Sequence, residues 1–260
     1  MNLEKELILS KDLALKAAAL IMTVYARGDL RVTYKDNASP LTIADKKAND
    51  LIVAGLKGRF PDYAILAEES RDDASRLDNK WCWIVDPLDG TKEFVKRIPE
   101  FTVNIALACE QRVVLGVICV PVTGDLYWAN KDQGAYYQAV DAEPKSIQVS
   151  GLTDKTTLRL VMSRSHASEK LQALIDRYQI SRIKRSGSSI KGCLVAQGAA
   201  EVYYRFNPTM EWDTAAMQCI VEEAGGIFRQ MDDSEMRYNR ENSLNDKGFY
   251  VLNKVENKLH

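Results

Sequence analysis

The sequence predicts an α+β fold, and three observations lead to this prediction. Helical apolar patterns occupy most of the first 60 residues, short apolar runs separated by turns fill the middle, and strands alternate with helices after about residue 150. The 260 residues, 46% of them hydrophobic, suffice to bury a substantial core. We therefore expect two halves, residues 1–148 with an antiparallel sheet and residues 149–260 with an α/β arrangement.

Two helices are predicted at the start of the chain. Apolar residues recur at helical spacing over about residues 3–26 and the pattern stops at Gly28. A second helix begins after Thr42, a capping residue, and ends before Pro61. Asp45 lies in the first turn of this helix, where backbone N–H groups stabilise a carboxylate.

Six strand-length apolar runs follow, and the tight turns between several of them indicate a meandering antiparallel sheet. The runs are Ala64–Ala67, Trp81–Val85, Val103–Ala108, Val113–Val120, Leu126–Trp128 and Ala135–Tyr137. In the second half, strands and helices alternate. The predicted order is strand Leu158–Met162, helix 168–178, strand Ile183–Lys184, helix 188–196, strand Val202–Tyr204 and helix 213–224.

The charge balance excludes some classes of partner. The 35 basic and 36 acidic residues give a formal charge of −1, which supplies no overall field for binding nucleic acid polymers or anionic membranes. Five widely spaced cysteines without a C-x-x-C pair indicate reduced thiols in a cytoplasmic protein. Charged residues interrupt every candidate signal or membrane segment, so we expect neither.

The most informative motif is Asp86-Pro87-Leu88-Asp89-Gly90-Thr91, which follows an apolar strand. Pro87 cannot continue the strand ladder and Gly90 permits a sharp turn. Asp86, Asp89 and the Leu88 carbonyl can therefore converge on one point. Taken alone, the motif is an ordinary turn.

Two further acidic motifs flank this turn in the sequence. Glu68-Glu69-Ser70 ends the preceding apolar run, and Trp212-Asp213-Thr214-Ala215-Ala216 opens a predicted helix. Two carboxylates about 5 Å apart repel by roughly 3 kcal/mol at an effective dielectric near 20, so a cluster of four or five needs cations. Oxygen ligands without histidine or thiolate select Mg²⁺, or Mn²⁺ as a substitute.

With these motifs the sequence resembles the inositol monophosphatase superfamily of magnesium-dependent, lithium-sensitive phosphatases, and within it the bacterial 3′(2′),5′-bisphosphate nucleotidases. The resemblance runs along nearly the whole chain and implies a layered α/β/α/β/α sandwich. Besides the acidic motifs, it rests on Ser39-Pro40-Leu41-Thr42-x-x-Asp45, Lys92-Glu93-Phe94, Phe101–Leu107, Ser163–Ala167, Gly187-Ser188-Ser189-x-Lys191 and Glu223–Gly226.

The resemblance also implies roles for individual residues. The metal ligands would be Glu68, Asp86, Leu88 (through its carbonyl), Asp89 and Asp213. Only the family pattern favours Glu68 over Glu69 as the direct ligand. Thr91 and Asp45 would activate the attacking water. The substrate would contact Glu68, Leu88, Asp89, Gly90, Thr91, His166, Ser188, Lys191, Arg205 and Asp213.

Ser188 and Lys191 are three residues apart, so we expect them on one face of the helix predicted over 188–196, where they would hold a second phosphate. Arg205 suits bidentate phosphate binding. The adjacent Tyr203 and Tyr204 offer a surface on which adenine would stack, although packing within the strand is the commoner use of such residues.

The implied activity is hydrolysis of 3′-phosphoadenosine 5′-phosphate (PAP), and of its sulfated form PAPS, in sulfate assimilation. Two or three Mg²⁺ ions and inhibition by Li⁺ are implied as well. An inositol monophosphatase or a sugar-bisphosphate phosphatase would keep the same metal ligands, and a nucleotide-sensing binding module is the non-enzymatic alternative. Related enzymes include monomers and homodimers, and peripheral attachment to the inner membrane is described for this type of nucleotidase.

Overall fold

The computed structural model describes residues 1–28, 30–34, 40–72, 74–164 and 168–260. Its helices are α1 (Glu4–Arg27), α2 (Ile43–Arg59), α3 (Thr91–Val95), α4 (Glu169–Arg177), α5 (Ile190–Ala196) and α6 (Glu211–Glu223). Its strands are β1 (Thr33–Tyr34), β2 (Pro40–Leu41), β3 (Ala64–Ala67), β4 (Trp81–Asp89), β5 (Thr102–Cys109), β6 (Arg112–Val120), β7 (Asp125–Asn130), β8 (Ala135–Gln138), β9 (Lys145–Ile147), β10 (Arg159–Ser163), β11 (Arg182–Ser186), β12 (Val202–Arg205), β13 (Thr209–Met210), β14 (Ile227–Gln230), β15 (Leu244–Asn245) and β16 (Phe249–Leu252). None of the helices in these ranges is long and apolar enough to cross a membrane.

The first large sheet has seven strands in the order β3-β4-β5-β6-β7-β8-β9. The predicted antiparallel meander is confirmed from β4 to β9. It is wrong for β3, which pairs with β4 in parallel. The segment between these two strands runs back along the sheet, so the ends of β3 and β4 lie at the same edge. This places Glu68 next to Asp86.

The second large sheet has five strands in the order β11-β10-β12-β16-β14. Strands β11, β10 and β12 are parallel, which confirms the predicted α/β arrangement. Strands β14 and β16, which the sequence reasoning did not predict, pair antiparallel to each other, and β16 also pairs with β12. They extend the sheet after α6.

Alternate residues of β4 show how the first sheet is covered on both faces. Trp83 and Val85 pack in a core with α1 and α2, whereas Cys82 and Ile84 pack in a second core with α5 and α6. Helix α6 approaches β6 closely, since a Cβ atom on Gly116 would lie 2.5 Å from the Ala216 carbonyl oxygen. Helices α5 and α6 therefore form the layer behind this sheet.

The second sheet lies on the other side of α5 and α6. Val161 of β10 belongs to the core that contains these helices, whereas Leu160 and Met162 point to a third core with Leu171 and Ile175 of α4. The layers are thus helices, sheet, helices, sheet, helix, and the predicted layered sandwich is confirmed. Because α5 and α6 pack against both sheets, the division into residues 1–148 and 149–260 stays a prediction.

Candidate active site

Three aspartates converge where β4 ends and α6 begins. One carboxylate oxygen each from Asp86, Asp89 and Asp213 lie within 4.8 Å of one another. Pairing between β4 and β5 shifts register between Asp86 and Asp89, as expected where Pro87 interrupts the ladder. The Leu88 N–H donates a hydrogen bond of 3.0 Å to Asp86 Oδ1, which fixes that carboxylate in the turn. The expected convergence of Asp86 with Asp89 is therefore confirmed, and the part of the Leu88 carbonyl in it stays a prediction.

Glu68 joins this cluster from the neighbouring strand. Its N–H donates to the Val85 carbonyl at 3.1 Å, which continues the parallel pairing of β3 with β4. Its carboxyl group raises the pKa of the neighbouring Asp86, and its side chain lines the same cleft as Asp89 and Asp213. The charge of Glu69 instead acts on Asp45. The geometry thus groups Glu68 with the aspartates, and its role as the direct ligand stays a prediction.

Burial and mutual repulsion disfavour the ionised cluster. The pKa of Asp213 is raised to about 8, first by burial and then by the charges of Asp89 and Glu68. The pKa of Asp86 is raised well above its ordinary value by burial and by its three acidic neighbours. Burial also raises the pKa of Asp89, against the opposing effect of Lys191 and Ser189. A site of clustered carboxylate oxygens that resists ionisation fits a hard divalent cation, whose charge would offset the repulsion.

Beside the cluster, Thr91 and Asp45 form the pair expected from the sequence. Gly90 has φ of +93°, and after this left-handed residue Thr91 begins α3. The Thr91 hydroxyl lies 3.1 Å from Asp45 Oδ1 and 3.1 Å from the Leu88 carbonyl oxygen. Asp45 Oδ2 accepts the Thr42 N–H at 2.7 Å, which confirms the capping interaction at the start of α2. Burial raises the pKa of Asp45.

Basic residues lie in the same cleft as the carboxylates. Ser188, Lys191 and Arg205 line it together with Asp89, Gly90, Thr91 and Asp213. The Lys191 ammonium is buried and donates to the Ser188 carbonyl. Burial lowers the pKa of Lys191 to about 8, although the nearby Asp89 opposes this effect. His166, the remaining predicted substrate contact, lies outside the described residues.

One detail of the predicted substrate side is wrong, and the structure distinguishes between two alternatives for another. Ser188 is not on α5, because it has φ of +45° and the helix begins at Ile190. Ser188 Oγ is buried and has no hydrogen-bond partner among the described residues. Tyr203 and Tyr204 are both buried in cores, so packing within the strand, the commoner use of such residues, is confirmed. They do not form one surface, because Tyr203 lines the cleft whereas the Tyr204 hydroxyl accepts the Leu259 N–H. Successive strand residues point to opposite faces, which explains the separation.

Ser189 is a hydrogen-bond partner of Asp89 that the sequence reasoning did not identify. Its hydroxyl lies 2.9 Å from Asp89 Oδ2 and also contacts Asn104, a residue of β5. The motif that could have indicated it is the Ser188-Ser189 pair, in which the sequence reasoning gives a substrate contact to Ser188 and no role to Ser189. Adjacent serines cannot be told apart by spacing alone when the helix start is uncertain by two residues.

Comparison with known proteins places this site in a family. The profile of the Inositol monophosphatase family matches residues 2–259. The chain is 38% identical to the 3′(2′),5′-bisphosphate nucleotidase CysQ of Salmonella typhimurium over 92% of its own length and 96% of that protein. CysQ of Escherichia coli K12 matches with the same identity and coverage.

A solved structure agrees with the sequence matches. CysQ from Bacteroides thetaiotaomicron, a bacterial member of the inositol monophosphatase family, superposes with a TM-score of 0.83 at 39% identity. The match covers 97% of this chain and 100% of that one. The chain belongs to the inositol monophosphatase family.

Proposed function

We propose that the protein is a Mg²⁺-dependent phosphatase that hydrolyses the 3′-phosphate of PAP to give AMP and inorganic phosphate. The observation that carries this proposal is the meeting of a carboxylate cluster and a buried lysine in one cleft. The cluster suits a cation, and Lys191 with Arg205 suits a second anionic group of the substrate. The names of the CysQ relatives support the same substrate class.

Asp86, Asp89 and Asp213, with Glu68 and the Leu88 carbonyl, would hold the magnesium ions. When bound, Mg²⁺ supplies positive charge that neutralises the phosphate, acidifies water and stabilises the leaving oxygen. The protein's own contribution is to bring the carboxylate oxygens of the three aspartates together at the end of β4 and the start of α6.

Thr91 and Asp45 would orient the attacking water. The Thr91 hydroxyl can donate to Asp45 Oδ1, which leaves its oxygen lone pair available to accept a hydrogen bond from water. Asp45 Oδ2 is held by Thr42, so the carboxylate cannot turn away. Water then attacks the phosphorus atom and the bond to the ribose 3′-oxygen breaks. Of the two protons of that water, one is transferred to the 3′-oxygen and the other stays on the released phosphate.

Substrate selection would come from the other side of the cleft. Gly90 and Thr91 directly follow the turn in the sequence, and their backbone N–H groups would donate hydrogen bonds to oxygens of the reacting phosphate. Lys191, Arg205, Ser188 and His166 would contact the remainder of the nucleotide, with the two basic side chains on its 5′-phosphate. Inositol 1-phosphate carries no second phosphate for these side chains to bind.

The finer expectations follow from the same proposal. The resemblance to the bacterial 3′(2′),5′-bisphosphate nucleotidases also implies hydrolysis of PAPS, a role in sulfate assimilation and inhibition by Li⁺. A monovalent ion in place of Mg²⁺ would supply less charge to the departing phosphate, which gives a physical reason for inhibition by Li⁺.

Phosphorus NMR of a PAP hydrolysis mixture tests the proposal. We expect Mg²⁺-dependent disappearance of the 3′-phosphate resonance, with AMP and inorganic phosphate as products and no reaction in EDTA. Asp89→Asn should abolish turnover while the protein stays folded, whereas Asp246→Asn at an exposed position should not affect it. Release of the 5′-phosphate, or turnover of PAP by Asp89→Asn at the wild-type rate, would contradict the proposal.

A further inference from the structure

Asp89 is held by groups that come from outside its own turn. Its Oδ2 atom lies 2.9 Å from the hydroxyl of Ser189, which precedes α5, and 3.5 Å from the hydroxyl of Thr102 on β5. Ser189 and Thr102 are buried, so no bulk solvent replaces these donors.

The direction of the Ser189 hydroxyl proton is set by Asn104. Asn104 is 1% exposed, and its Nδ2 donates a hydrogen bond of 2.9 Å to Ser189 Oγ. Because Ser189 accepts this bond, its single proton must point elsewhere. The acceptors within reach are Asp89 Oδ2 at 2.9 Å and the Asp213 carbonyl at 3.4 Å, and the shorter contact with a charged acceptor is the stronger.

The amide of Asn104 has another orientation to consider. Turning it over would direct Oδ1 at Ser189, and the serine proton would then be shared between Asn104 and Asp89. The turned orientation would therefore set two acceptors, Asn104 Oδ1 and Asp89 Oδ2, against a single serine proton. In the observed orientation Oδ1 has no partner among the described residues, but each contact from Asn104 to Ser189 to Asp89 joins one donor to one acceptor. The chain of donors therefore ends on the carboxylate.

We propose that Asn104 and Ser189 form a positioning relay for Asp89, in which Asn104 directs the Ser189 proton onto Oδ2 and so presents Oδ1 to the cation. The inference rests on the proposed metal site. Ser189 lines the cleft beside Asp89, and in this scheme neither Asn104 nor Ser189 binds the cation itself. They act through Asp89, as partners of metal-binding carboxylates do when they fix ligand orientation.

The relay also connects the two large sheets. Asn104 lies opposite Asp86 in the pairing of β4 with β5, and Ser189 belongs to the segment between β11 and α5. A hydrogen bond between them fixes the start of α5 against the edge of the first sheet. Lys191 lies two residues beyond Ser189, so the same contact sets the spacing between the carboxylates and the basic side of the cleft.

Titration calorimetry with MgCl₂ alone, without substrate, tests the relay. We expect Ser189→Ala to weaken Mg²⁺ binding about 10- to 100-fold, the usual effect of losing a partner of a metal ligand. Asn104→Ala should weaken Mg²⁺ binding by about 3- to 10-fold, because the Ser189 hydroxyl remains but its proton is no longer directed onto Asp89. Thr102→Val is the matched control, because its hydroxyl meets the same oxygen at 3.5 Å, and it should change affinity by less than about 3-fold.

The double variant separates a relay from two independent effects. If Asn104 acts only through Ser189, the double variant should bind Mg²⁺ no more weakly than Ser189→Ala. Melting temperatures in EDTA identify any general loss of folding, for which the measured affinity is corrected because the apparent Kd rises as the folded fraction falls. Additive losses, or wild-type affinity in Ser189→Ala, would overturn the relay. A wild-type protein that binds no Mg²⁺ would instead overturn the proposed metal site itself.

Discussion

Substitution of Asp213 should have opposite effects on the stability of the metal-free protein and on Mg²⁺ binding. In the metal-free protein its pKa is raised from 3.8 to about 8, chiefly by burial. The folded state therefore favours the protonated form. The stability that this form contributes is fully present below about pH 4 and is lost as the pH rises through about 8. Asp213→Asn keeps a carbonyl oxygen to accept the Met210 N–H but removes the charge.

The expected size of the effect follows from two estimates. Two charges 4.8 Å apart repel by about 3 kcal/mol at an effective dielectric of 20. The raised pKa corresponds to about 6 kcal/mol as an upper bound that includes burial. Since a buried amide has its own desolvation cost, we expect Asp213→Asn to stabilise the metal-free protein by about 3 kcal/mol at pH 8 relative to its effect at pH 4.

Thermal melting in EDTA at pH 4 and pH 8 measures this difference. A gain of about 3 kcal/mol corresponds to about 6–12 °C for a protein of this size. The same variant should lose the increase in melting temperature that Mg²⁺ gives the wild type. Asp246→Asn, at an exposed position, should change neither quantity. Equal melting shifts for Asp213→Asn at both pH values, or a full response to Mg²⁺, would refute the reasoning.

Three further predictions test the water-orienting pair, the basic side and the packing of α6. Thr91→Val should lower kcat at least about 100-fold and leave the Mg²⁺ melting shift intact, whereas an unchanged kcat would remove the hydroxyl from the mechanism. Lys191→Met should raise KM for PAP at least about 10-fold. For the wild type, KM should rise above pH 8 as Lys191, with its pKa of about 8, loses its charge; a KM that is flat from pH 7 to 9 would count against this role. Gly116→Ala should destabilise the protein by about 2 kcal/mol in urea unfolding, because its Cβ would lie 2.5 Å from the Ala216 carbonyl oxygen. Gly58→Ala in α2 should be neutral or stabilising, because apart from its chain neighbours and the backbone of its own helix no atom of the described residues lies within 4 Å of the added carbon. Equal effects of the two alanines would contradict the packing.

The local part of the site was predictable from the sequence. Only two residues, Pro87 and Leu88, separate Asp86 from Asp89. Because Pro87 and the following Gly90 restrict the geometry of this turn, the convergence of the two aspartates needs no knowledge of the rest of the fold. The same holds for the capping contact between Thr42 and Asp45.

The long-range part was not predictable from the residues alone. The composition of a four-residue apolar run such as β3 does not indicate whether the strand pairs parallel or antiparallel, and only the parallel pairing places Glu68 beside Asp86. The family resemblance supplied that ligand where periodicity could not. Strands β14 and β16 follow the last predicted helix, and their pairing depends on contacts with β12 that are distant in sequence. Ser189 was missed because its function depends on where α5 begins, and a helix end is poorly defined by sequence.

The central claim is that this cleft selects a bisphosphorylated nucleotide. Measuring kcat/KM for PAP, inositol 1-phosphate and fructose 1,6-bisphosphate at saturating Mg²⁺ tests it most directly. The account predicts that PAP exceeds both other substrates by at least about 100-fold, because Lys191 and Arg205 bind a second phosphate on an adenosine frame. Equal or better turnover of inositol 1-phosphate would contradict it.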